Sequence, residues 1–133
     1  MKSLYIYLIT ILLSFSSGSC LTETDNPVTG NWSFLIANGY NCYTCPRIEF
    51  GNDGTGNLVM SSTNKIEFSY KLLSDNKIEF DFNKDKKQSL FKQSEVFYYE
   101  IHSADGFSYI DLLDVTDKEI IHTLVAPISK TSN

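Results

Sequence analysis

Residues 65–82 read KIEFSYKLLSDNKIEFDF, and this stretch decides the fold. Ile66, Phe68, Tyr70 and Leu72 alternate with Glu67, Ser69 and Lys71. Ser74-Asp75-Asn76 then breaks the pattern, and Ile78, Phe80 and Phe82 alternate with Glu79 and Asp81. Successive side chains of a strand point to opposite faces, so each run has one apolar and one wet face. Two such runs joined by a short Ser/Asp/Asn segment predict an antiparallel hairpin.

The same grammar extends in both directions. Residues 30–38 (GNWSFLIAN) and 47–50 (RIEF) read as strands. GNDGTG at 51–56 is the strongest turn signal, followed by a predicted strand at 57–62 (NLVMSS). Residues 83–88 (NKDKKQ) form a charged loop, and 89–93 are a strand or its approach. Further strands are expected at 96–102, 107–115 and 120–125, with turns at Asp105-Gly106 and 116–119. No apolar period of 3.6 residues lasts the length of a helix. Eight or nine short strands with closely spaced turns predict an all-β sandwich or barrel. The chain shows no internal repeat and no low-complexity segment.

A chain of 133 residues is enough for one domain, and 42% hydrophobic residues are enough for a core. Net charge is −5, and Arg47 is the only arginine. That balance lacks the basic footprint of a nucleic-acid binder and disfavours direct contact with anionic lipid headgroups.

The N-terminal residues predict a different membrane connection. After Met1-Lys2 comes a mostly apolar run, Leu4–Phe15, and then Ser16-Ser-Gly-Ser-Cys20. Charge, apolar stretch and small residues at a cut form the order of an export signal, too short to span a bilayer comfortably. The small residues before Cys20 resemble a bacterial lipobox, in the relaxed form of Bacteroidetes-type lipoproteins. The resemblance implies that residues 1–19 are a signal peptide and that Cys20 carries lipid. Residues 20–28 are polar and read as a flexible tether, with the domain expected at 29–133. Cysteine parity agrees: of three cysteines, lipidation of Cys20 leaves Cys42 and Cys45 as an even pair in an oxidising compartment.

Gly30-Asn31-Trp32, opening the first strand of an up-and-down β domain, resembles the lipocalin signature. IEFGNDGTGNLV (48–59) and FSYKLLSDNKIEF (68–80) are similar to consecutive strand-turn-strand units of small bacterial lipocalin-like domains. The likeness spans residues 30–126. It implies an up-and-down antiparallel barrel of about eight strands, with Trp32 at the closed end under a basic side chain. Lys118 and Lys130 are the candidates for that partner. Members of this group mostly lack a defined activity.

The Cys42-x-x-Cys45 pair admits a redox, a metal or a structural reading. A thioredoxin-type pair needs a helix N-terminus, but Pro46 is followed by the strand-like RIEF. A zinc site needs further ligands, and only His102 and His122 remain, on different predicted strands. The pair therefore reads as a disulfide pinning the loop between the first strands, with no metal and no cofactor expected. His102 and His122 read as structural or exposed, and Asp111 and Asp114 as turn or solvent-face residues. No nucleophile motif, phosphate loop or metalloprotease signature occurs, so the chain does not read as an enzyme.

The candidate ligand-binding residues are those expected inside the barrel: Trp32, Phe68, Tyr70, Phe80, Phe82, Phe97 and Tyr99. An eight-stranded barrel can hold one small apolar molecule or be filled by its own side chains. The expectation is a monomeric, lipid-anchored cell-envelope protein, on either face of the outer membrane. It binds a small hydrophobic ligand or, with a filled barrel, serves as a structural or protein-interaction module.

Overall fold

Each alternating run becomes a strand in the computed structural model, which describes residues 26–128. The strands are β1 (Gly30–Ala37), β2 (Tyr40–Asn41), β3 (Arg47–Phe50), β4 (Thr55–Val59), β5 (Lys65–Leu73), β6 (Lys77–Phe82), β7 (Ser94–Ala104), β8 (Phe107–Asp114) and β9 (Ile120–Pro127). Among the described residues there is no helix. All pairings are antiparallel, β3 to β9 follow one another in sequence order, and β1 pairs with both β3 and β9. The result is a closed barrel of eight strands, with β2 appended to β1. Closure leaves the barrel without the long free edges that template aggregation.

β1 closes the barrel by dividing its length between two partners. Gly30–Ser33 pair with β3, and Ser33–Ile36 pair with β9. The register shifts between Phe34 and Ile36, which puts Phe34 and Ala37 inside and turns Ile36 to face the outward Thr123. An extra residue in one strand bends it and re-aims its side chains.

The quoted hairpin forms as its pattern requires. Phe68 faces Phe82, Tyr70 faces Phe80, and Leu72 faces Ile78 across β5–β6. Ile66, Phe68, Tyr70, Ile78, Phe80 and Phe82 are all buried, while Glu67, Ser69, Lys71 and Asp81 are exposed. Asp105-Gly106 turns β7 into β8 with φ of 53° and 83°. Both residues then lie in the left-handed region that type I′ hairpin turns need.

Two boundaries differ from the expectation. β4 starts at Thr55, inside the glycine-rich turn, because Thr55 and Gly56 already pair with Ser69 and Phe68. At the start of the domain the fold extends back beyond Thr29. Val28 is fully buried in the core, and Asn26 Nδ2 donates to the Tyr70 hydroxyl at 2.6 Å. The polar composition of residues 21–29 hides this single apolar anchor. The expected signal segment, Cys20 and the first part of the tether lie outside the described residues.

Candidate functional site

The expected interior residues converge. Trp32, Phe68, Tyr70, Phe80, Phe82 and Phe97 belong to one buried cluster, and Tyr99 is partly buried against it. Strand alternation does this: Phe97 and Tyr99 share a face of β7, as do Phe80 and Phe82 on β6. At one end Trp32 donates its Nε1–H to the Val28 carbonyl at 2.9 Å, so the N-terminal segment is tied to the base of the barrel. The hydroxyl of Tyr70 donates to the Gly51 carbonyl at the same end. The basic partner expected over Trp32 is not Lys118, whose Nζ lies 5.5 Å from the Tyr98 ring centroid instead. Lys130 lies outside the described residues.

The opposite end is closed by a residue that pattern reading passes over. Residues 83–93 form no strand, and Phe91 turns into the barrel. Its ring stacks on Phe82 at 5.1 Å and packs at a tilt against Phe80 at 4.9 Å and the imidazole of His122 at 4.8 Å. Gln88 shapes the turn that carries it. Gln88 Oε1 accepts from the amides of Leu90 and Phe91, at 2.9 and 2.8 Å, and its Nε2 donates to the Phe91 carbonyl at 2.6 Å. An apolar pair, Leu90-Phe91, inside a run of lysines and glutamines is the one sequence signal for this plug.

The two histidines occupy opposite faces of the wall. His122 points inward and is fully buried, ringed by Phe34, Phe91 and Phe97. Burial pushes its pKa down from 6.5 to about 4, and the Leu90 backbone opposes this only weakly. The ring is therefore neutral at physiological pH. Nδ1 accepts the Asn38 amide at 3.3 Å, so the proton sits on Nε2, which is buried without a hydrogen-bond partner.

His102 points outward and is half-exposed. Its Nε2 lies 2.9 Å from Asp111 Oδ2, and its ring stacks flat on Tyr109 at 5.1 Å. Asp111 Oδ1 accepts from the Thr123 hydroxyl at 2.7 Å. Asp111 and Thr123 are buried although they face outward. For Asp111 this corrects the solvent-face reading; Asp114 is the half-buried last residue of β8, and its side chain caps the turn that follows. It accepts from the Thr116 amide at 2.7 Å, and this bond holds its carboxyl below the ordinary range. The Asp111 carboxylate thus sits between His102 and Thr123 and links β7, β8 and β9 across the outer face of the wall.

Cys42 and Cys45 stand at disulfide distance, Cα atoms 5.7 Å apart, and pack against the barrel core. The loop they pin presents Tyr43, and the adjoining β2 presents Tyr40; the two are 92% and 78% exposed. Among the described residues, no three His, Cys, Asp or Glu side chains converge as metal ligands. A hollow of about 410 Å³ opens beside Pro27, Asn31 and Ile128, and one of about 640 Å³ beside Tyr99, Glu100 and His102. The first is lined by Trp32, Ile101 and Ala126 and the second by Tyr99 and Ile101, so both reach inward-facing residues of the barrel. No family model, curated protein or solved structure matches this chain.

Proposed function

We propose that this is a lipid-anchored, lipocalin-like binding protein of the cell envelope, which takes a small, mainly apolar ligand inside its barrel. One observation carries the reading. The interior is lined with aromatic rings up to an end that a loop side chain, Phe91, closes, and strands form the rest of the wall. An apolar lining with very few polar groups is the common composition of small-molecule sites. The anchor is supported by the N-terminal pattern and by cysteine pairing. With Cys42 joined to Cys45, Cys20 is the cysteine left over for lipid.

The chain has one tryptophan, and it lies in the buried cluster. Its fluorescence therefore reports on the interior alone. Titration with a broad panel of apolar compounds, fatty acids included, shifts the emission and raises the melting temperature for at least one member. Flat emission and an unchanged melting temperature across the panel overturn the reading. Mass spectrometry of the mature protein tests the anchor, which requires a lipid-modified Cys20.

The spacing of the rings favours a second reading. Neighbouring centroids lie 4.8 to 6.3 Å apart, which is ordinary contact for aromatic pairs. A barrel filled in this way needs no ligand and acts through its surface. The surface formed by β2 and the Cys42–Cys45 loop, which carries Tyr40 and Tyr43, is then the contact face, because exposed tyrosines give large contact area at small entropic cost. Replacing both by serine abolishes envelope cross-links under this reading and leaves them unchanged under the first.

A further inference from the structure

Among the described residues, one buried side-chain polar atom, His122 Nε2, has no hydrogen-bond partner. His122 Nδ1 is engaged by Asn38, but the Nε2–H on the other side of the ring is buried and unpaired. Such orphaned donors are rare in folded proteins and call for an explanation. The surrounding groups are the rings of Phe34, Phe91 and Phe97 and the Leu90 backbone, which lies near the imidazole without completing a hydrogen bond to Nε2, and none of them is charged.

The group that lies closest over the imidazole belongs to no strand. Phe91 stands on the loop that Gln88 closes through its single side-chain amide. The rest of that loop is polar and exposed, with Lys84, Asp85, Lys86 and Lys87 in solvent, so it stays solvated when it moves. Asn38 ties loop and histidine together: its backbone amide donates to His122, and its side-chain amide reaches the Ser89 carbonyl at 3.4 Å.

The geometry points to a displaceable plug, Gln88–Phe91, over a ligand site in which the His122 Nε2–H is the anchoring donor. The ligand is a ring-sized apolar molecule carrying one uncharged hydrogen-bond acceptor. It takes the place of the Phe91 ring, and its acceptor pairs with the orphaned donor. An anionic acceptor is disfavoured, because among the described residues no cation faces the imidazole and an unpaired buried charge is costly. This deepens the interior-binding reading above and rests on it.

The test uses the full chain and two probes of the same shape. Acetophenone carries a carbonyl acceptor, and cumene has none. The variants are Gln88→Ala, which loosens the plug without enlarging the interior, and Gln88→Ala combined with His122→Leu. Closing a site lowers apparent affinity by the open fraction. Loosening the plug is therefore expected to tighten binding of both probes by about tenfold. Adding His122→Leu is expected to cost acetophenone about tenfold and cumene nothing, the size of one hydrogen bond. In the single variant, acetophenone also shifts the ¹⁵N resonance of His122 Nε2, a readout that needs no second substitution. Equal behaviour of the two probes, with an unmoved Nε2 resonance, overturns the anchor and leaves interior binding standing. Affinities unchanged by Gln88→Ala overturn the plug. If neither probe binds and the wider apolar panel also leaves Trp32 unmoved, the interior-binding reading fails as well.

Discussion

Gly56 lies directly across the β4–β5 ladder from Phe68, and the phenyl ring occupies the space a side chain at 56 would need. A Cβ there would stand 2.5 Å from Phe68 Cζ and 2.4 Å from the Glu49 carbonyl oxygen. One of these neighbours is backbone and cannot swing aside. Overpacking of this kind costs about 1–3 kcal/mol. Gly106 offers a comparison, since it has open space around its Cβ position and only a φ of +83° to lose. Gly56→Ala is expected to lower the denaturation midpoint more than Gly106→Ala. Urea melts at one pH measure both, and a smaller loss at 56 would show that Phe68 and the Glu49 strand yield easily.

The buried imidazole makes stability depend on pH in a defined window. His122 has its folded pKa lowered from 6.5 to about 4. Between those values the unfolded chain binds a proton that the folded chain refuses, so stability falls as pH falls. The contribution is complete above pH 6.5, declines towards about pH 4 and has no further slope below. Its full size is roughly 3 kcal/mol. Asp53 and Asp114, whose carboxyls are lowered from 3.8, act below that value and leave the window clear. Chemical melts at several pH values are expected to show this slope in the natural protein. His122→Leu is expected to flatten it, and a slope that survives the substitution would exclude His122 as its source.

The Gln88 side chain sets how often the plug opens. It holds the turn through three hydrogen bonds, and each such bond contributes about 0.5–1.5 kcal/mol. Gln88→Ala is expected to speed amide exchange at Leu90 and Phe91 by at least tenfold. Phe80 sits in the β5–β6–β7 ladder, and its amide is expected to keep its protection beyond the global loss. Hydrogen exchange followed by NMR separates the two. Equal acceleration at all sites would make the loop an integral part of the core.

Most of the wall was legible because its signal is local. The alternation in residues 65–82 sets both strands and both faces, and burial follows it residue by residue. Asp105-Gly106 and the Asp53-Gly54-Thr55 turn fall where their chemistry requires. The missed features depend on partners far away in sequence. β2 is only Tyr40–Asn41, too short to alternate, although Asn38-Gly39 before it is a strong hairpin signal. Phe91 was unreadable because a lone ring in a charged loop has no period, and its partners include β1, β6 and β9. The outward burial of Asp111 was equally hidden. It arises from pairing between β7, β8 and β9, which no single strand records.

That outward cluster leads to the last prediction. Asp111 faces Thr123 across β8–β9, and the Thr123 hydroxyl donates to its Oδ1 at 2.7 Å. On the other side His102 meets Oδ2 at 2.9 Å, with half of the imidazole side chain in solvent. Removing the carboxylate strands a buried hydroxyl on one side and an exposed ring on the other. A stranded buried group costs about 1–3 kcal/mol, whereas exposed ion pairs contribute about 1 kcal/mol or less. Asp111→Ala is therefore expected to destabilise by about 2 kcal/mol. Double-mutant cycles divide that loss. The Asp111–Thr123 coupling, measured with Thr123→Val, is expected to exceed the Asp111–His102 coupling, measured with His102→Ala. A larger coupling to His102 would mean that the pair on the outer surface holds a charge that the wall depends on, and that the hydroxyl is the minor partner.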